Sequence, residues 1–321
     1  MRGIIHVLTT LALTHAPFAL AQGYPNKPIR YIVPFPAAAS PDIIARTLAE
    51  RLSRQWGQQV VVDNRAGAGG TLGAAVAAKS QADGYTLFQC NIASSSIAEA
   101  LYAKLPYSPH RDFIPITLIG KAPNVMIVNL QLPAQTLKDY IAYARANPGK
   151  LTNGNSGAGS SPHLAMELFK LAMKIDVTAV SYKGSPPALA DLIGGQISSS
   201  VQTVPAALPA IQSGRVRAMA VTSLKRIAQL PDTPSFHEAA VPGFEVNSWY
   251  GLCAPTGTPD VIVNKLHADM TAVLRTPEVQ RRFTDLVIEV APSSRADFAN
   301  FIVSETKRWK RVVIEAGLPL Q

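Results

Sequence analysis

The sequence predicts an α/β protein of two lobes facing each other across a cleft. Three observations carry that expectation. Strands alternate with amphipathic helices over residues 29–89 and again over residues 137–222, the pattern of parallel sheets with helical crossovers. After residue 245 the alternation gives way to one long strand and a run of helices, so the tail has to complete the first series. Finally, three loops at strand-to-helix joints consist almost wholly of small residues: PFPAAASPD (34–42), DNRAGAGGTLG (63–73) and NGNSGAGSSPHL (153–164).

Taken in order, the chain opens with Met1-Arg2, a mostly apolar run over 4–13 and the Ala-x-Ala site Ala19-Leu20-Ala21. That is the layout of a signal peptide cleaved after residue 21, and it implies export. A strand over 29–35 leads into a helix ending near 55, in which Ile44, Leu48, Leu52 and Trp56 recur every four residues on one face. A strand over 60–62, a helix over 71–79, a strand over 85–89 and a short helix over 94–102 follow. Two strand-like runs, 113–119 and 125–129, stand almost back to back. The second series reads helix 137–146, a Gly/Ser/Asn loop, helix 163–173, strand 177–181, helix 187–193, strand 197–202, helix 206–212 and strand 217–222. FEVNSWYGLCAP (244–255) is a long strand, and helices over 259–274, 277–286 and 296–315 complete the chain with one short strand over 288–290. The economical arrangement puts residues 22–122 and 246–321 in one lobe and 123–245 in the other. The strands near 113–119 and 245–254 are then the crossings, and the open ends of the parallel strands face the cleft.

Lys and Arg number 30 against 21 Asp and Glu, a net charge of +9 that suits an anionic solute. The charge is scattered. Only ETKRWKRVV (305–313) is dense in cations, on a surface helix with an apolar seam, and no basic stripe interleaved with aromatics points to nucleic acid. No later stretch reaches the roughly 20 apolar residues of a membrane span. Two cysteines, Cys90 and Cys253, lie far apart. Export permits a disulfide between them, but Cys253 sits in the apolar run WYGLCAP, where a small buried thiol is the expected state.

The small-residue loops explain themselves if an anion has to approach the backbone. Helix N-termini carry partial positive charge and unpaired N–H groups, and residues without bulk let a carboxylate or phosphate reach them. Catalytic templates fail at the same places. GAGGTLG breaks the dinucleotide spacing at Leu72, no Gly-Lys-Ser/Thr is present, and GNSGA has Ala158 where a nucleophile elbow needs glycine. His163, seven residues after Ser156, is placed to cap, pack or donate to a ligand; His110, His237 and His267 show no metal spacing. Neither a metal nor a cofactor is expected. A secreted hydrolase using Ser156 or Ser160 is the alternative to a binding protein.

The stretches YPNKPIRYIVPF, VVVDNRAGAGGTLGA, DGYTL, LPYSPHRDFIPITLI, SGAGSSPHLAMELFK, YKGSPPALADLIGGQI, RAMAVTS and SWYGLCAPTGTP occur in this order. With them the chain resembles, over about residues 24–317, the periplasmic solute receptors of tripartite tricarboxylate transporters, the Bug family. The resemblance implies a type II, Venus-flytrap periplasmic-binding-protein fold and no enzymatic activity. It also implies a monomer that captures a small organic carboxylate and presents it to the membrane components of the transporter; a receptor feeding a signalling partner instead is equally compatible with it. Carried over position by position, it selects Phe35, Ala37 and Asp42 in the first loop, Gly69 and Thr71 in the second, and Asn91 at the end of the third strand. In the second lobe it selects Ser156, Ser160, Ser161 and His163, then Tyr182 and Gln202. Asp42 has a helix-capping role as its simpler reading.

Three departures bear on the ligand. Pro36-Ala37-Ala38-Ala39-Ser40-Pro41-Asp42 stands where the family usually has Pro-Pro-Gly-Gly-Gly-Thr-Asp, so easy positive φ is expected to be lost and Pro41 lacks an N–H. Cys90-Asn91 replaces small residues. Gln202 replaces the Asp of many members and leaves an ammonium group without its counter-charge. These changes favour a mono- or dicarboxylate with an apolar or aromatic body over an amino acid or citrate.

Overall fold

The structure, a computed structural model, describes residues 23–315 and 317–318; the signal peptide expected over 1–21 lies outside them. Three strands open the chain: β1 (Ile29–Val33), β2 (Val60–Asn64) and β3 (Thr86–Asn91), parallel in the order β2-β1-β3. In β1 every residue but Arg30 is buried, as in a sheet covered on both faces. Helix α1 (Ser40–Trp56) lays Ile44, Leu48 and Leu52 on that sheet with no exposed surface and ends at Gly57, whose φ of 62° makes a left-handed cap. Helix α2 (Thr71–Ala78) follows the second loop. The expected helix over 94–102 starts as a π turn, Ala93–Ile97, before α3 (Ala98–Leu101).

The two runs expected over 113–119 and 125–129 form one strand, β4 (Phe113–Val128). The Gly120–Asn124 segment reads as a break, but a distant partner keeps it extended. Gly120 to Pro123 pair antiparallel with Tyr250 to Asn247 of β9 (Asn247–Pro255). The next residue changes partner: Asn124 faces Thr203, and from there β4 pairs with β7 (Ser199–Thr203) on one side and β8 (Arg217–Val221) on the other.

The second lobe holds a strand that periodicity missed. LTNGN, read as loop because of its Asn and Gly, is β5 (Leu151–Asn155), parallel to both β6 (Val177–Ser181) and β7. A side chain at Gly154 would run into Ile197, so a central strand here needs a residue that looks like a turn. Helices α4 (Leu137–Ala146), α5 (Ser161–Met173), α6 (Ser185–Ile193) and α7 (Val204–Gln212) pack around this sheet, and α8 (Phe236–Ala239) follows β8. The strand orders, β2-β1-β3-β9-β4 and β6-β5-β7-β4-β8, repeat one plan. In each lobe the fourth place belongs to the strand arriving from the other.

The tail returns to the first lobe through α9 (Asp260–Leu274), α10 (Pro277–Asp285), β10 (Glu289–Val290), which pairs with β4, and α11 (Arg295–Glu315). Cys90 and Cys253 are joined, with Cα atoms 5.9 Å apart, correcting the expectation of a free thiol. Pairing of Phe88 with Cys253 sets Cys90 diagonally across from it, inside the spacing that a disulfide spans. Among the described residues no helix is long and apolar enough to cross a membrane, and no cluster of metal-ligating side chains occurs.

Candidate functional site

Four helix starts converge at the seam between the lobes. Ala39 and Pro41 come from the start of α1, Ser160, Ser161 and Pro162 from α5, Ser185 from α6, and Thr203 from the cap of α7. With Phe35, Asn91 to Ala93, Ser156, Ser248 and Tyr250 they line a small inner chamber, and none of the lining side chains is charged. Phe35 and Ser156 also line a larger outer chamber, together with Gly67 to Gly70, Tyr102, Gly157, Ala158, Ser181, Tyr182 and Lys183. Lys183 is the charged residue of that wall. Loops of opposite lobes touch around it. Gly69 abuts the Ala158 carbonyl, Gly184 abuts Pro36, and a side chain at either glycine would collide. Tyr102 Oη donates to the Ala68 carbonyl at 2.9 Å.

The inner chamber is rich in oriented neutral donors. Asn91 Oδ1 accepts from the N–H groups of Ala93 (2.9 Å) and Ser94 (3.2 Å), which fixes the amide, while its buried Nδ2 has no protein partner. A buried donor left unpaired costs about 1–3 kcal/mol, so this group is poised to receive an acceptor. Ser161 Oγ bonds Ser248 Oγ and donates to Asn124 Oδ1 at 3.3 Å. Burial pushes the Tyr250 phenol up to about 12, against the opposing pull of the Ser248, Ser40 and Thr203 hydroxyls, so it stays a neutral hydroxyl at ordinary pH. Preorganised N–H and O–H groups at helix starts, with apolar Phe35, Ala39 and Ala93 forming a small cluster of their own, suit an anionic head on a carbon body.

A family model described as Tripartite tricarboxylate transporter family receptor matches residues 44–318. The chain belongs to this family. BugT of Bordetella pertussis is 36% identical over 319 residues, covering 99% of this chain and 98% of BugT. Among solved structures, Rpa4515 of R. palustris with adipate is 36% identical with a TM-score of 0.90, covering 93% of this receptor and all of that chain. MatC from Rhodopseudomonas palustris with bound malate is 33% identical with a TM-score of 0.86, covering 90% of this receptor and all of that chain. The protein is a solute-binding receptor of the Bug type.

The receptor brings some of the sequence-selected residues to the chambers and gives others structural work. Phe35, Asn91, Ser156, Ser160 and Ser161 line the inner chamber, and Gly69 and Tyr182 the outer. Ala37 is exposed and lines neither. Asp42 also lines neither. It accepts from the Ala38 N–H at 2.9 Å, from Asn64 Nδ2 and from Arg46. Burial raises its pKa, and those partners bring it below the usual carboxylate range. This brace overturns the expectation about positive φ, because Ala38 adopts φ 64° without being glycine. Thr71 Oγ1 donates to the Ala68 carbonyl. His163 Nδ1 accepts from the Gly159 N–H at 3.2 Å, and burial lowers its pKa, which keeps the ring neutral. Gln202 is fully buried, with Nε2 donating to Ser200 Oγ; its neighbour Thr203 reaches the chamber instead. Sequence reasoning missed Ala39, Pro41, Ile92, Ala93, Pro162, Ser185, Thr203, Ser248 and Tyr250. Ser185-Pro186 and Thr203-Val204-Pro205 carry the helix-start signal and could have been found by it. Ser248 and Tyr250 depend on strand register, which leaves no local mark.

Proposed function

We propose that this receptor captures a small organic carboxylate lacking an amine and hands it to the membrane components of a tripartite tricarboxylate transporter. The observation that carries the reading is the Asn91 amide: a fixed, buried and unpaired donor at a chamber ringed by four helix starts and no charged side chain. A carboxylate accepts from such groups, whereas an ammonium group finds no counter-charge there. The carbon body would run past Phe35 and Ala93, and a second anionic group would reach Lys183 and Tyr182 in the outer chamber. Adipate and malate, held by the two related structures, are of this class and motivate a dicarboxylate for this chain. The hydrolase alternative gains no support, since a serine nucleophile needs a base within reach and the nearest candidate, His163, accepts from a backbone N–H.

In this reading the lobes are residues 22–122 with 246–321 and residues 123–245, and the mature protein is a periplasmic monomer freed of its first 21 residues. Native mass spectrometry of freshly purified protein would identify a retained ligand by mass. A thermal-shift panel of adipate, succinate, benzoate, nicotinate, citrate, aspartate and glutamate would then rank the classes. Stabilisation by adipate, succinate or an aromatic acid is expected; stabilisation by aspartate, glutamate or citrate alone would sink the ligand assignment.

A further inference from the structure

Ser40 and Thr203 face each other across the closed cleft, their hydroxyl oxygens 2.6 Å apart and both residues buried. Ser40 is the first residue of α1 in the first lobe; Thr203 ends β7 and caps α7 in the second. Two features make this more than a chance contact. A threonine at an N-cap ordinarily turns its oxygen onto its own helix, yet Thr203 makes no such capping bond. Its oxygen is committed to the opposite lobe instead. The α7 end also has a single N–H to offer that oxygen, at Ala206, because Pro205 occupies the second helical position. Thr203 therefore changes partners with lobe geometry: Ser40, with the Tyr250 phenol beside it, when the lobes meet, and the Ala206 N–H when they part.

We propose that Ser40 and Thr203 form a two-way latch that sets the ratio of closed to open receptor, with Ser40 acting as a positioning residue on the Thr203 wall of the ligand chamber. It rests on the capture function proposed above. Because Thr203 exchanges one hydrogen bond for another on opening, its hydroxyl keeps a partner in both states, and the bias toward closure is modest and reversible. A net neutral hydrogen bond shifts an equilibrium by about three- to tenfold, enough to tune ligand release without locking the cleft.

The test uses the full mature chain carrying nitroxide labels at Val261→Cys and Leu171→Cys, both well exposed (41% and 54%) and on different lobes, with the native disulfide intact. Pulsed electron–electron distance measurements give the closed-to-open ratio, first without ligand and then with saturating adipate as probe. The ratio should fall about three- to tenfold in Ser40→Ala and by less in Thr203→Val, which removes the closed-state bond to Ser40 and the open-state bond to Ala206 together. The double variant should match Thr203→Val, because Ser40 has no latch partner once the Thr203 hydroxyl is gone. Ser40→Thr, which keeps the hydroxyl, should restore it, a rescue that a merely structural role would not produce. Equal ratios in wild type and Ser40→Ala, or losses that add in the double variant, would overturn the latch. Since the ratio is read in ligand-free protein, failure of adipate to bind the wild type counts against the carboxylate assignment alone.

Discussion

Asp42 shows how one side chain can replace a run of glycines. Its carboxylate accepts from the Ala38 N–H and from Asn64 and Arg46, and it holds the first loop in a shape that alanine does not choose alone. Its folded-state pKa lies below the ordinary value. The stability it contributes is therefore complete above the unfolded pKa of about 3.9 and is lost as pH falls through the lower folded value. Asp42→Asn should flatten the acid limb of a melting-temperature profile from about pH 2 to pH 7; an unchanged limb would mean that other carboxylates govern acid unfolding. Two serines of the third loop separate binding from folding. Ser156 lines both chambers, whereas Ser160 Oγ also accepts the His163 N–H at 3.3 Å and caps α5. Each alanine variant should weaken ligand binding by about 1–3 kcal/mol, as loss of a hydrogen bond to a charged group does. Only Ser160→Ala should also lower ligand-free stability, by about 1 kcal/mol. Calorimetric titration beside ligand-free melting would expose equal behaviour, which would refute the distinction.

At the scale of the element, the Cys90–Cys253 bond ties β3 to β9 beside the strand end that presents Asn91. It closes a loop of 163 residues in sequence. Its removal in Cys90→Ser/Cys253→Ser should cost on the order of 2–5 kcal/mol, read from urea unfolding. A midpoint unchanged from wild type would show the link to be dispensable. The pairing marks the border of what the sequence could tell. Helix α1 was legible because its Leu and Ile recur on one face, and the three cradle loops were legible because a strand ran into small residues before a helix. LTNGN hid β5, since a central strand that must pass beneath Ile197 uses glycine where a reader sees a turn. GKAPN hid the middle of β4, because its extended shape comes from β9, more than a hundred residues away. The same logic divides the site: loop donors such as Ser156 and Ser160 are local features, while Ser248, Tyr250 and the cystine exist only through register.

At the scale of the whole molecule, β4 changes partner between Pro123 and Asn124, and β9 completes its first-lobe pairing at Asn247. Rotation about these points needs only a few backbone torsions. Small-angle scattering should show the radius of gyration fall when the true ligand saturates the receptor; an unchanged radius would argue against closure. The interleaving of β4 and β9 also imposes an order of assembly. The second lobe draws all its strands, β4 to β8, from one continuous stretch of chain, whereas the first sheet keeps a gap beside β3 until β9 arrives. Cys90 has no sulfur to meet before then. A newly made chain should thus finish its middle before its beginning, leaving the edge of β3 and the Cys90 thiol open until the tail arrives. A chain ended after residue 245 tests this: hydrogen exchange should find residues 151–221 protected and residues 29–91 exchanging freely, and the reverse pattern would refute the order.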